Sequence, residues 1–381
     1  MRFIHTADWH LGRSLHNVRL LDDQRYVLDQ LVALVRDARP DALLLAGDLY
    51  DRATPPGDAI DALDDTLCAI LEMGVTVIAI AGNHDGPHLI NYGSRLFAAR
   101  GLHTFGKVAS TIGCVPLTDQ WGAVHVYALP YAEPLKVGEQ LGDESITSHD
   151  AALRGWATRA LRDHPAGARA IAVAHAFVIG GIASDSERPI IGGATNVDAG
   201  CFEGFHYIAL GHLHRPQAIG ARIHYAGSIL KYAFDEADHV KSVNLVELDG
   251  EGNCQVAYIP LTPRRDMRRI EGFFADVLRD APSDPRRDDY LSIRLLDDGP
   301  LLEPMRRLSA YYPNLLETPR VGLNASTIGV RHGLDHRLKR TDDLFAFFFE
   351  QMTGAALSDA EADVLAEALA RVRRQETEVI A

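Results

Sequence analysis

Apolar positions in the first hundred residues follow two signatures in turn. Residues 2–7, 42–46 and 75–81 read as strands, and the runs Leu43-Leu44-Leu45 and 75–81 lack polar alternation, which is the pattern of strands covered on both faces. Residues 18–37 and 57–73 lie between them and read as helices. Strands and helices in alternation predict a layered α/β sheet.

Beyond Gly101 the runs shorten. Strands are expected near residues 103–105, 124–129, 170–175, 207–210, 223–226, 242–248 and 255–259, with one helix near 149–162. The turn residues Asp249-Gly250-Glu251-Gly252-Asn253 read as a hairpin connection. A second, mostly antiparallel sheet packed on the first accounts for this part of the chain.

Pro260-Leu261-Thr262-Pro263 reads as a linker into a strand–helix–strand–helix–strand pattern over residues 267–321. Ten basic and ten acidic residues lie between Arg264 and Arg307, so this unit has no charge signature. Residues 320–340 do: Arg320, Arg331, Arg337, Lys339 and Arg340 face only Asp335. A solvated linker and a DNA or partner contact both fit that stretch. Two helices are expected over residues 342–352 and 359–374, and Ser358 and Glu361 have the spacing of a capping box. The cluster Leu344, Phe345, Phe347, Phe348 and Phe349 needs cover, from its own domain or from a partner protein. The expected division is a first domain over 1–263, a small α+β capping domain over 264–325, and a basic linker with a helical tail over 326–381.

Composition narrows the class. The 381 residues are 47% apolar and 24% charged, as in ordinary soluble globular proteins. No run approaches the ~18 apolar residues of a membrane span, and Asp8 and His10 stand where a signal peptide would have its apolar core. Four dispersed cysteines with no C-x-x-C pair fit a reducing compartment, so a cytoplasmic location with no membrane attachment is expected. The formal charge of −14 argues against gripping nucleic acid by overall charge. If DNA is the substrate, metal ions, a local basic patch or a partner must supply the positive potential, and 17 histidines favour metal.

Polar residues close several of the apolar runs where packing gives no reason for them: Asp8-Trp9-His10, Gly47-Asp48-Leu49-Tyr50-Asp51, Gly82-Asn83-His84-Asp85, the solitary His175, and Gly211-His212-Leu213-His214. Sites in open α/β sheets form beyond the carboxyl ends of strands, so all five segments can converge on one rim. Near-extended backbone turns residues i and i+2 to one side, which would let Asp8 with His10, and His212 with His214, serve one centre. Carboxylates, imidazoles and one amide oxygen suit Mn²⁺, Fe²⁺ or Zn²⁺ better than Ca²⁺. Seven candidates are too many for one catalytic ion and about right for two ions sharing a bridging carboxylate. Each segment alone has a plain alternative: a strand-terminal histidine is usually structural, and Gly, Asn and Asp favour turns. All five together, each after an apolar strand, make coincidence a poor explanation.

The ordered set D-x-H, G-D-x-x-D, G-N-H-D, H and G-H-x-H resembles the calcineurin-like metallophosphoesterase superfamily. The start M-R-F-I-H-T-A-D-W-H-L-G, with Ala46-Gly47-Asp48-Leu49-Tyr50-Asp51, Ala128-Leu129-Pro130-Tyr131, residues 183–189 and Tyr225-Ala226-Gly227-Ser228, is similar to its bacterial SbcD branch of nuclease subunits. This resemblance is specific over about residues 1–260. It implies a two-sheet α/β sandwich with a dimetal centre: one ion on Asp8, His10, Asp48 and His214, the other on Asp48, Asn83, His175 and His212, with Asp48 bridging. His84 would face the scissile phosphate and stabilise or protonate the departing oxygen. Asp51 stands where archaeal and eukaryotic relatives carry histidine, and no role beyond orienting a neighbour is expected of it.

The resemblance further implies Mn²⁺ (with Mg²⁺ possible), 3′→5′ exonuclease and single-strand or hairpin endonuclease activity on DNA in break repair, recombination and replication, and an SbcC-type coiled-coil ATPase partner in a heterotetramer holding two copies of this chain. No G-x-x-x-x-G-K-[ST] loop is present, so an ATP-driven step would belong to that partner. The remaining histidines, including His5, His103, His125, His206 and His224, are expected to be structural. The loop 184–199 reads equally as a DNA contact or a plain surface loop. Two other readings stay open: a phosphoesterase for small nucleotides or phosphoproteins, and a non-catalytic scaffold.

Overall fold

The computed structural model describes residues 1–187, 196–299, 301–320, 345–346, 349 and 355–380. Arg331, Arg337, Lys339 and Arg340, most of the expected 342–352 helix and the middle of the 184–199 loop lie outside the described residues. The chain divides into two compact units, Met1–Met267 and Arg268–Ala381.

The first unit stacks two six-stranded sheets. From edge to edge the first runs Cys254–Pro260, Ser242–Leu248, Arg2–Thr6, Ala42–Ala46, Thr76–Ile80, Leu102–Phe105. The second runs Gln217–Ile219, Ile223–Tyr225, Tyr207–Gly211, Arg169–His175, Gly122–Leu129, Gly113–Asp119. Alternate residues of each central strand point into the shared core, where Phe3, Leu44 and Ile78 meet Val126, Ile171, Val173 and Tyr207. Residues between them face outward: Ala172, Ala174, Ile208 and Leu210 pack under helix His149–Arg162 through Leu153, Trp156 and Ala160. The helix begins where the Ser148 hydroxyl accepts the Ala151 N–H at 3.2 Å.

Two expectations about the second sheet are overturned. Its four central strands run parallel, and only the outer strands 217–219 and 113–119 are antiparallel. Residues 170–174 and 207–210 are apolar without alternation because both faces are covered, which is the parallel-sheet signature. Parallel pairing needs long crossovers; between 122–129 and 169–175 the crossover contains helix Pro134–Leu141 as well as His149–Arg162. Strands 102–105, 242–248 and 254–260 belong to the first sheet, where Ser242–Leu248 lies antiparallel to Arg2–Thr6.

The second unit has a three-stranded sheet, Met267–Gly272, Tyr290–Leu295, Leu315–Glu317, with helices Phe274–Asp280 and Pro304–Ser309. Phe274, Val277, Leu291, Ile293, Leu308 and Tyr312 form its core. Helix Asp359–Ile380 starts as its spacing predicts, with Glu361 accepting the Ser358 N–H at 2.9 Å and its hydroxyl at 2.6 Å.

Candidate metal centre

Strands 2–6, 42–46 and 76–80 of the first sheet, and 169–175 and 207–211 of the second, all present their carboxyl ends to one rim of the sandwich. Beyond them the loops stay paired: Asp8 N–H donates to Gly47 O, His10 N–H to Asp48 O and Leu11 N–H to Leu49 O, each at 3.0 Å. The loops turn in left-handed backbone, with φ of 52° at Asp8, 45° at His10, 52° at Asp48 and 98° at His212. Non-glycine residues in this region cost about 1–3 kcal/mol each and concentrate at functional sites. This corrects the extended-strand rationale: Asp8 with His10 and His212 with His214 are delivered by strained turns. Glycine is required where the loops touch. A Cβ on Gly82 would run into Asp48 Oδ1 and the Asp48 backbone N, and one on Gly47 would lie 2.5 Å from His175 Nδ1.

All seven expected ligands meet there. His10 Nε2 is 3.1 Å from His214 Nε2. Asp48 Oδ2 is 3.6 Å from His10 Nε2, 3.4 Å from His175 Nε2 and 4.0 Å from His84 Nε2. Asn83 Oδ1 is 2.9 Å from His175 Nε2 and 3.1 Å from His212 Nδ1. The Asp8 carboxylate accepts the His212 N–H at 2.9 Å. Three groupings have ligand atoms close enough to share an ion: Asp8, His10 and His214; His10, Asp48 and His84; Asp8, Asp48 and His175.

The chemistry of this set fits divalent cations. Asp8, Asp48, His10, His175, His212 and His214 are buried, and among the described residues neither carboxylate is paired with lysine or arginine. Burial pushes the Asp8 carboxyl well above the usual range. Burial also holds His10, His214 and His212, the last at about 3, in the neutral form that ligates metal. Burial works against the Asp48 carboxylate too, but His175, His10 and His84 outweigh it and hold that group well below the carboxylate range. Burial opposes a charge on His175 as well, but Asp48 and Asp8 outweigh it and raise that imidazole's pKa to about 9, so one imidazolium faces two buried acids and divalent cations would supply the remaining positive charge.

His84 is brought to the same centre on different terms. Its backbone N–H donates to Asp48 Oδ1 at 2.8 Å, its Nδ1 lies 2.8 Å from the Asp51 carbonyl oxygen, and its ring centroid is 4.5 Å from that of His10. Asp51 thus orients His84 through its backbone, while its carboxylate takes Arg13 at 3.1 Å. Sequence reasoning left several supports unassigned. Asp85 accepts the N–H groups of Leu49, Tyr50 and Gly82 at 3.1, 2.9 and 2.9 Å and so ties two motif loops together. Ser186 and Glu187 turn inward onto His214, as do Glu236 and Lys241 from a distant segment. Asp85 could have been read from its place in G-N-H-D, and Ser186 and Glu187 from theirs in residues 183–189; Glu236 and Lys241 have no local signal. His5 is structural, as expected, with Nδ1 3.0 Å from the Tyr207 hydroxyl and Nε2 3.1 Å from Leu210 O.

Residues 1–216 match the calcineurin-like phosphoesterase family model. The chain belongs to this family. It is a metal-dependent phosphoesterase, and the rim of histidines and acids lies within the matched residues. Residues 263–353 match a second model, the type 5 capsule protein repressor C-terminal domain. The SbcD subunit of nuclease SbcCD from Staphylococcus epidermidis is 31% identical over 382 aligned residues, covering 99% of this chain and 100% of its own. Among solved structures, a dimetal phosphatase from Danio rerio aligns at TM-score 0.40 and 14% identity over 69% of this chain and 99% of its own. TT1561 of Thermus thermophilus aligns at 0.37 and 12% over 68% and 98%. No helix among the described residues is long and apolar enough to cross a membrane.

Proposed function

We propose that this phosphoesterase is the nuclease subunit of a DNA-processing complex. In this reading, Asp8, His10, Asp48 and His214 hold one divalent cation, and Asp48, Asn83, His175 and His212 hold a second. The convergence of residues from positions 8 to 214 on Asp48 Oδ2 and its neighbours carries the reading: that oxygen is 3.6 Å from His10 Nε2 and 3.4 Å from His175 Nε2, and in this reading it would serve both ions. The mixed carboxylate, imidazole and amide set suits Mn²⁺, Fe²⁺ or Zn²⁺, and relatedness to the SbcCD nuclease subunit favours Mn²⁺ among them.

Cations held by these residues would supply neutralising charge to a phosphodiester and make a water acidic enough to attack it. The chain's own residues do the rest. The Asp51 carbonyl keeps a proton on His84 Nδ1, which leaves Nε2 as the atom that exchanges a proton with the departing oxygen. Asp85 holds the loops of Asp48 and Asn83 in register. No side chain need form a covalent intermediate.

Relatedness to the SbcCD nuclease subunit over the whole chain supports DNA as substrate, with 3′→5′ exonuclease and single-strand or hairpin endonuclease action in break repair, recombination and replication. It also supports an SbcC-type ATPase as partner, two copies of each chain, and a cytoplasmic setting. The segment 264–325 would cap the nuclease domain, and 326–381 would dock the ATPase. The test is cleavage of hairpin DNA against a cyclic nucleotide, with Mn²⁺ or Mg²⁺, with and without the ATPase. Mn²⁺-dependent cutting of the hairpin with little turnover of the cyclic nucleotide is expected; the reverse preference overturns the assignment to DNA.

A further inference from the structure

His214 is gripped at every polar atom except one, by two buried residues, Glu236 and Lys241, and two half-buried ones, Ser186 and Glu187. Its N–H donates to Glu187 Oε1 at 2.6 Å, and its carbonyl accepts from Lys241 Nζ at 2.7 Å. Its ring Nδ1 faces Ser186 Oγ at 2.5 Å and Glu236 Oε1 at 3.2 Å. Lys241 spends its other two ammonium protons on Glu236 Oε2 at 2.5 Å and Ser228 Oγ at 2.8 Å. Glu236 is fully buried, and Lys241 is 5% exposed.

Proton counting fixes the ring's state. The Ser186 hydroxyl donates to Glu236 Oε1, so its only proton is used and its oxygen can only accept from His214. Glu236, a carboxylate held by Lys241, can likewise only accept. Both neighbours of Nδ1 therefore demand a proton on it, and in the neutral ring Nε2 then presents its lone pair, 3.1 Å from His10 Nε2. By contrast the backbone partners of His175 and His84 are neutral carbonyls, Ala46 O at 2.9 Å and Asp51 O at 2.8 Å. A carboxylate partner fixes the tautomer and also makes the imidazole a stronger donor to metal.

We propose that Glu236, locked by Lys241 and joined through Ser186, is the positioning residue of His214 and sets the affinity of the ion that His214 and His10 share, leaving the other ion's affinity largely unchanged. The inference rests on the two-ion reading above. It also gives the Ser184–Glu187 segment a role: Ser184 N–H donates to Glu187 Oε2 at 2.6 Å, which folds this turn onto His214.

Mn²⁺ titration calorimetry on the full chain tests it. For Glu236→Gln the affinity at one of two sites should fall about 10- to 100-fold, the range for lost partners of ligating histidines, while the other site's affinity stays close to the parent's; the metal-free protein should melt at a lower temperature, because Gln leaves the buried Lys241 ammonium without its carboxylate. Glu236→Asp should recover part of the loss. Ser186→Ala, which removes a hydroxyl and no charge, should weaken the same site to a smaller degree and serves if Glu236→Gln does not fold. Variants whose isotherms superimpose on a two-site parent overturn the positioning role alone. A parent that binds no Mn²⁺ overturns the two-ion reading and this inference together.

Discussion

Substituting Gly82 by alanine probes the crowding on which the centre depends. The added Cβ would stand 2.7 Å from Asp48 Cγ, and nearer still to Oδ1 and the backbone N. Ordinary carbon contacts are about 3.5–4.0 Å, so the Asp48 carboxylate would have to retreat by about 0.8 Å. It has nowhere to go. Oδ1 holds the His84 N–H at 2.8 Å, Oδ2 faces three imidazoles within 4.0 Å, and the backbone N cannot rotate aside. Overpacking of this kind costs about 1–3 kcal/mol of stability, and a misplacement near 1 Å costs about 10²-fold in rate. Gly82→Ala should therefore remain folded in urea titration yet lose at least one ion per chain by elemental analysis. Its turnover of a simple phosphodiester should fall by about two orders of magnitude. A variant with the parent's metal content and turnover would refute the claim that Asp48 is held by close packing at a shared position.

His84→Ala should abolish cleavage while both ions remain bound by metal analysis; loss of both ions would make His84 a ligand. His5, buried in the core, has its pKa lowered to about 3, chiefly by burial. The unfolded chain then binds the extra proton below about pH 6.5, so stability present above that pH is lost as pH falls towards 3. The expected loss is about 2 kcal/mol between pH 6.5 and 5. Urea titrations of the parent should show it and those of His5→Gln should show it reduced by that amount; parallel pH profiles would count against this origin. A chain ending at Met267, where the first unit ends, should keep simple phosphodiesterase activity and fail to co-purify with the ATPase, and retention of the ATPase would remove the docking role from the C-terminal segment.

Much of the centre was legible because its ligands follow apolar strands directly, and a strand's carboxyl end on a sheet rim has few directions in which to turn. Sheet membership was harder to read. Residues 242–248 look like any short strand, and only their pairing with Arg2–Thr6 shows that the first sheet closes over the chain's start. Strand Gly113–Asp119 was missed because it alternates weakly and contains Pro116, which an edge strand tolerates. Helix Pro134–Leu141 is short and carries Gly138 at its centre. Glu236 and Lys241 could not be found from sequence at all: their meaning comes from meeting His214, Ser186 and Glu187 in a buried network, and nothing in D-E-A-D-H-V-K distinguishes those charges from surface ones.

The most direct measurement is an anomalous difference map at the manganese edge from crystals of this protein equilibrated with Mn²⁺. The account predicts two peaks about 3.5–4 Å apart, one within bonding reach of Asp8, His10, Asp48 and His214, the other of Asp48, Asn83, His175 and His212, with His84 bonded to neither. A single peak, or two that do not share Asp48, would contradict it.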